Sequence, residues 1–173
     1  MKKILLIIAA AVFVFASCEK EKGETNFVEF GSEKVALNVG PCGFLPESHH
    51  FQGEPGYHFD CDATIKGVSC HFFLNLSATC KGKKVKLGSF DKGVSYMFEI
   101  NSSSEDGYPY DIHHYNESNY ATEISHSSVG TWFKSGTMEL RDDGKTLSLD
   151  VDGVTADDRK FKCNITTKSQ NFE

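Results

Sequence analysis

The sequence predicts an all-β fold, either an antiparallel β-sandwich or a lipocalin-like barrel of about 8–10 strands in one domain. Three observations predict it. Apolar and polar residues alternate over short runs, those runs are separated by Gly, Asp, Asn and Ser, and the body of the chain has no long stretch with a helical period.

The first 25 residues stand apart from that body. Met1, Lys2 and Lys3 form a positive start, and residues 4–15 form an unbroken apolar run of twelve residues. A bilayer core needs about twenty apolar residues, so the run is an N-terminal signal peptide rather than a membrane span. It ends in Phe15-Ala16-Ser17-Cys18, with two small residues before a cysteine. This resembles the lipobox of bacterial lipoproteins. The resemblance implies that residues 1–17 are removed, that Cys18 carries diacylglycerol, and that the new amino terminus is acylated. Several acyl chains anchor stably where one is marginal. Residues 18–25 then hold the lipidated cysteine and a tether, Glu19-Lys20-Glu21-Lys22-Gly23-Glu24-Thr25, which has no apolar residue to bury. Acidic residues just behind the cysteine are similar to the export tails of Bacteroidetes-type lipoproteins. That likeness implies the outer membrane, with the domain at the cell surface.

Residues 26–173 remain for the single all-β domain, a size that buries about two thirds of the unfolded surface. Lys2 and Lys3 leave with the signal, so Lys plus Arg falls from 18 to 16 against 24 acidic residues, and the net charge to −8. That balance excludes duplex nucleic acid as a partner and leaves the covalent anchor as the contact with the membrane.

In chain order, short strands are expected at 27–30 and 35–39. In 57–65 Tyr57, Phe59, Cys61, Ala63 and Ile65 share one face, and His58, Asp60, Asp62 and Thr64 the other. Lys66-Gly67 makes a tight turn into 70–80, where Cys70, Phe72, Leu74, Leu76 and Ala78 face inward and Phe73 falls on the wet face. Further strands are expected at 84–90 and 95–100. The stretch 101–128, rich in Ser, Asn, Tyr and His, reads as a long loop with a helical turn at 118–125; loops of that length are often functional. After a strand at 130–136, Asp143-Gly144 suits a two-residue hairpin turn pairing Leu140 with Leu147, Met138 with Leu149 and Gly136 with Val151. A second turn at Asp152-Gly153 and a polar loop through Asp157-Asp158 lead to the last strand, 160–166. Residues 130–166 resemble the C-terminal part of small Bacteroidetes-type surface lipoproteins of uncharacterised function. The shared grammar is Ser135-Gly136-Thr137, an alternating strand, Asp143-Gly144, a second strand, and an acidic loop before Lys160.

Five cysteines follow the anchor: Cys42, Cys61, Cys70, Cys80 and Cys163. An exported chain can form disulfides, but five is odd and two pairs can be chosen in fifteen ways. Seven histidines include His49-His50, His58 near Asp60, His71, and His113-His114 near Asp111, yet no fixed-spacing metal signature accompanies them. They read as solvated surface residues. Asp150, Asp152, Asp157 and Asp158 lack the pattern of a calcium loop and read as solubilising turn residues. No Gly-x-Ser-x-Gly elbow or cofactor-binding motif is present, so neither an enzyme nor a cofactor is expected.

The remaining candidates are Tyr108, Tyr110, Tyr115 and Tyr120. Tyr interleaved with Asn, Asp, Ser and His is how loop-borne binding surfaces are composed, because it offers rigid area with a polar tip. The functional expectation is a membrane-anchored module binding a ligand or protein through that segment. An envelope-maintenance or immunity-type inhibitor is the alternative, and a small hydrolase or metal-binding protein the third.

Overall fold

A computed structural model describes residues 26–103, 109–116, 125–126 and 130–173. Twelve strands lie among them: β1 (Phe27–Phe30), β2 (Glu33–Ala36), β3 (Asn38–Leu45), β4 (Gly56–Ile65), β5 (Val68–Ser77), β6 (Lys84–Leu87), β7 (Tyr96–Ser103), β8 (Ile112–Asn116), β9 (Ser125–His126), β10 (Phe133–Asp142), β11 (Thr146–Thr155) and β12 (Lys160–Lys168). They form two antiparallel six-stranded sheets, ordered β2-β1-β12-β11-β10-β6 (sheet 1) and β3-β4-β5-β7-β8-β9 (sheet 2). The sheets do not close on each other, so the architecture is a sandwich and the barrel alternative is set aside.

The alternation that predicted strands also builds the core. Tyr57, Phe59, Cys61, Ala63 and Ile65 of β4 and Cys70, Phe72, Leu74 and Leu76 of β5 are all buried. They meet Val28 and Phe30 of β1, Met138 and Leu140 of β10, Leu147, Leu149 and Val151 of β11, and Phe161, Cys163 and Ile165 of β12. The Lys66-Gly67 turn forms as expected, with Ile65 opposite Val68 and φ of 51° and 83° at the two turn residues. Across the middle, Phe98 from sheet 2 stands edge-on to Phe133 and Phe161 of sheet 1 at 5.0 and 5.6 Å.

Four expectations change. The β10–β11 register pairs Leu140 with Leu149, Met138 with Val151 and Gly136 with Gly153, two residues from the expected one. The connection spans 143–145, closed by Asp143 Oδ1 accepting the N–H groups of Lys145 (2.8 Å) and Thr146 (2.7 Å). Asp152-Gly153 is not a turn: β11 runs through it to Thr155, and Gly153 is needed because a Cβ there would lie 2.8 Å from the Phe133 ring. The chain reverses at 156–158 instead, where Asp158 takes a φ of 66°. Finally, 101–128 is not one long loop, since it contains the end of β7, β8 and β9. The helical turn expected at 118–125 lies largely outside the described residues, and Ser125 is in a strand.

The outer face of sheet 1 is a lattice of opposite charges: Lys162 meets Asp152 at 3.4 Å, and Arg141 meets Asp150 as well as Glu139 at 2.8 Å. Asp150 and Asp152 thus sit on a strand face rather than in a loop. The two cross-strand pairs, Lys162–Asp152 and Arg141–Asp150, keep the half-exposed sheet in register and soluble.

Candidate functional site

The site candidate lies where two of the described segments meet the β11–β12 turn. Residues 130–132 run alongside the start of β8, with the Thr131 N–H donating to the Asp111 carbonyl (2.9 Å) and the His113 N–H to the Thr131 carbonyl (3.0 Å). Gly130 makes that approach possible, since at its φ of 77° a Cβ would stand 2.7 Å from the Asp111 side chain. The turn is tied to the same segment by the Ala156 N–H donating to the Trp132 carbonyl at 2.8 Å. Between them opens a cleft of about 640 Å³ walled by Asp111, Thr131, Trp132, Asp157 and Arg159.

Its charged groups are fixed by the protein itself. Arg159 donates through Nε and Nη2 to Asp157 Oδ2 at 2.7 and 2.6 Å, and through Nη1 to the Pro109 carbonyl at 2.6 Å. Its guanidinium also lies 4.1 Å over the Phe30 ring. Thr155, fully buried, donates its hydroxyl to Asp157 Oδ1 at 2.5 Å. Burial pushes the Asp157 carboxyl up, but the hydrogen bonds from Arg159 and Thr155 outweigh it and hold the group below the usual carboxylate range.

Asp111 links the cleft to the outer face of sheet 2. Its Oδ1 accepts both the N–H and the hydroxyl of Ser102 at 2.5 Å, and its Oδ2 lies 3.7 Å from His113 Nε2. On the far side of that imidazole, Nδ1 is 3.4 Å from the Tyr115 hydroxyl, which donates to Glu99 at 2.5 Å. Cross-strand register continues the face, with Glu99 opposite Phe73 and Phe73 opposite Asp60. There His71 Nδ1 sits 3.1 Å from Asp62 and 3.7 Å from Asp60, and His58 contacts Asn75 at 3.0 Å. The face therefore carries two acid–imidazole groups separated by an aromatic ring, able to donate and accept hydrogen bonds. Among the described residues no three His, Cys, Asp or Glu side chains are arranged to hold a metal ion.

The predicted residues fall in different places. Cys18, Tyr108 and Tyr120 lie outside the described residues. Tyr115 is half-buried on the outer face of sheet 2. Tyr110 is not a surface residue: it is 9% exposed and packs edge-on to Phe30 at 5.4 Å. His114, expected at the surface, is fully buried against Tyr96, whose hydroxyl lies 2.9 Å from its Nε2. All five cysteines after the anchor are buried free thiols. Trp132 and Arg159 were not singled out by the sequence, and Asp157 was read only as a turn residue. The available clues were a carboxylate and a guanidinium two residues apart in one turn, and the chain's single tryptophan.

Fold and cleft together define a β-sandwich with a cleft of mixed polar and apolar lining beside the β11–β12 turn. No protein-family model, curated protein or solved structure matches the chain.

Proposed function

We propose that this chain is a lipid-anchored surface module, held at the outer membrane through Cys18, that binds a ligand at the Trp132 cleft. The observation that carries the reading is the prior fixing of Asp157 and Arg159, each held by protein partners before any ligand arrives. Groups already in place lose little conformational entropy on binding, which is what a recognition site needs. An indole beside a carboxylate, a guanidinium and a threonine hydroxyl offers one apolar plate and several hydrogen-bonding groups. That composition suits a hydroxyl-rich ligand such as a glycan.

Retention of the purified domain on immobilised glycans tests it, with Trp132→Ala expected to abolish retention while leaving the fold intact by circular dichroism. Retention that survives Trp132→Ala removes the cleft from the proposal. Recovery from intact cells of one stoichiometric protein partner, with no glycan retention, assigns the chain instead to the envelope-maintenance or immunity-type inhibitors. The anchor is tested separately: Cys18→Ala should end incorporation of labelled palmitate and release the domain from membranes, and unchanged labelling overturns that part.

A further inference from the structure

Cys42 and Cys61 sit on neighbouring strands at an irregularity in the ladder. Val39 stands opposite Cys61 and Cys42 opposite Phe59, so Gly40 and Pro41 together face Asp60, two residues against one. Gly40 allows the close approach, since a Cβ there would meet the Asp60 carbonyl oxygen at 2.8 Å. The bulge aims Cys42 inward, its Sγ 3.8 Å from that same carbonyl, whose carbon is bonded to the Cys61 nitrogen. Both cysteines are buried on the core side of sheet 2. Two of the other thiols are engaged elsewhere: Cys70 Sγ reaches the Val68 carbonyl at 3.6 Å and Cys80 Sγ the Ser95 carbonyl at 3.4 Å, while Cys163, on β12 of sheet 1, is buried in the same core cluster as the pair.

We propose that Cys42 and Cys61 are a disulfide pair, closed across the β3 bulge by thiol–disulfide exchange, with Cys70, Cys80 and Cys163 remaining thiols. The Cys42 sulfur attacks an external disulfide of the glutathione or protein-dithiol class, forming a mixed disulfide and releasing one thiol. The Cys61 sulfur then displaces the second. The chain loses two protons and two electrons, and the external disulfide takes them up to become two thiols. Cys42 is the attacking group because it lies on β3 at the edge of the sheet, whereas Cys61 lies on β4 between β3 and β5. Burial pushes the thiols of Cys70 and Cys80 up to about 11. Access comes from the edge position of β3. Its outer side is held by the hydrogen bonds from the Phe44 N–H to the Gln170 carbonyl (2.8 Å) and from the Phe172 N–H to the Phe44 carbonyl (2.9 Å), so opening of that margin uncovers the bulge.

In the cell the pairing rests on the export reading, so the test has two arms. In the first, reduced, purified full chain is exposed to oxidised glutathione, unfolded, alkylated without reductant, and cut with trypsin and a Glu-specific protease. The expected product is peptide 35–47 joined to peptide 48–66, lighter than their sum by two hydrogens. Of the five cysteines after the anchor, three are then alkylated. Recovery of alkylated Cys42, or of peptide 35–47 joined to the peptide carrying Cys163, overturns the proposal. In the second arm the chain is taken from cells with thiols blocked at lysis. The same link there supports both readings. A link found only in the first arm supports the pairing and overturns export.

Discussion

Replacing Phe161 by alanine tests whether the two sheets are held together through one shared aromatic group. Phe161 is fully buried, and its ring stands edge-on to Phe30 at 5.7 Å, Phe98 at 5.6 Å and Phe133 at 5.3 Å. Phe98 belongs to sheet 2 and the other two to sheet 1, so the substitution opens the seam on both sides. A buried Phe→Ala change costs about 3–5 kcal/mol. Edge-to-face pairs contribute roughly 0.5–1.5 kcal/mol each beyond their area, and three of them place this site in the upper part of that range, about 4–5 kcal/mol. Domains are stable by roughly 5–15 kcal/mol, so the loss is about a quarter of the total or more. Urea unfolding followed by the fluorescence of Trp132, the single tryptophan, reads it directly. With a slope of about 2 kcal/mol per molar urea, the midpoint should fall by roughly 2 M with the slope unchanged. Phe73→Ala is the control: the same atoms are removed from the half-buried outer face of β5, and the midpoint should move by less than about 0.5 M. Equal shifts in the two variants, or a Phe161 shift below about 0.5 M, would refute the argument.

Gly153→Ala should lower the melting temperature by roughly 3–10 °C, because its Cβ meets Phe133, which is itself locked between Phe98 and Phe161; an unchanged melting temperature shows that the ring can yield. Asp157→Asn should destabilise the fold at neutral pH, and the gap to the parent should narrow in acid. A carboxyl held below its unfolded value, about 3.9, stabilises above that pH, and the contribution disappears as pH falls through the folded value. Thermal melts at pH 7 and pH 3 check this, and a gap between parent and variant that stays constant overturns it. Tyr110→Ala should cost about 3 kcal/mol of stability, as a core truncation does, whereas Tyr115→Phe should cost about 1 kcal/mol or less for its lost bond to Glu99; parallel denaturation curves for the two variants would contradict their placement.

What the sequence made legible followed from burial on one face. In β4 and β5 every inward residue is apolar or a cysteine, so period, face and turn could all be read. The β10–β11 register was missed by two residues because a two-residue shift returns every side chain to the same face. The apolar pattern cannot separate the two registers, and the side-chain hydrogen bonds of Asp143 decide between them. β8 was hidden for the opposite reason. Its inward residues are Ile112, His114 and Asn116, and two polar side chains in the core erase the alternation that announces a strand. Gly153 was read as a turn because Asp-Gly usually is one, whereas here the missing side chain makes room for a ring from the neighbouring strand. The cleft was illegible because Asp111, Trp132 and Arg159 meet only through the packing of separate segments.

The strand order also bears on how such a chain folds as it emerges during synthesis. Sheet 2 is assembled from β3, β4, β5, β7, β8 and β9, a stretch interrupted by β6 of sheet 1, and each of these strands after β3 pairs with the strand of its own sheet that precedes it. Sheet 1 joins the two ends of the domain, since the β1–β2 hairpin docks on β12 alone. The earliest strands therefore wait for the latest. Until β12 arrives, Val28 and Phe30 have no neighbour on that side, so the stretch exposed to wrong partners during folding lies at the beginning of the domain rather than at its end.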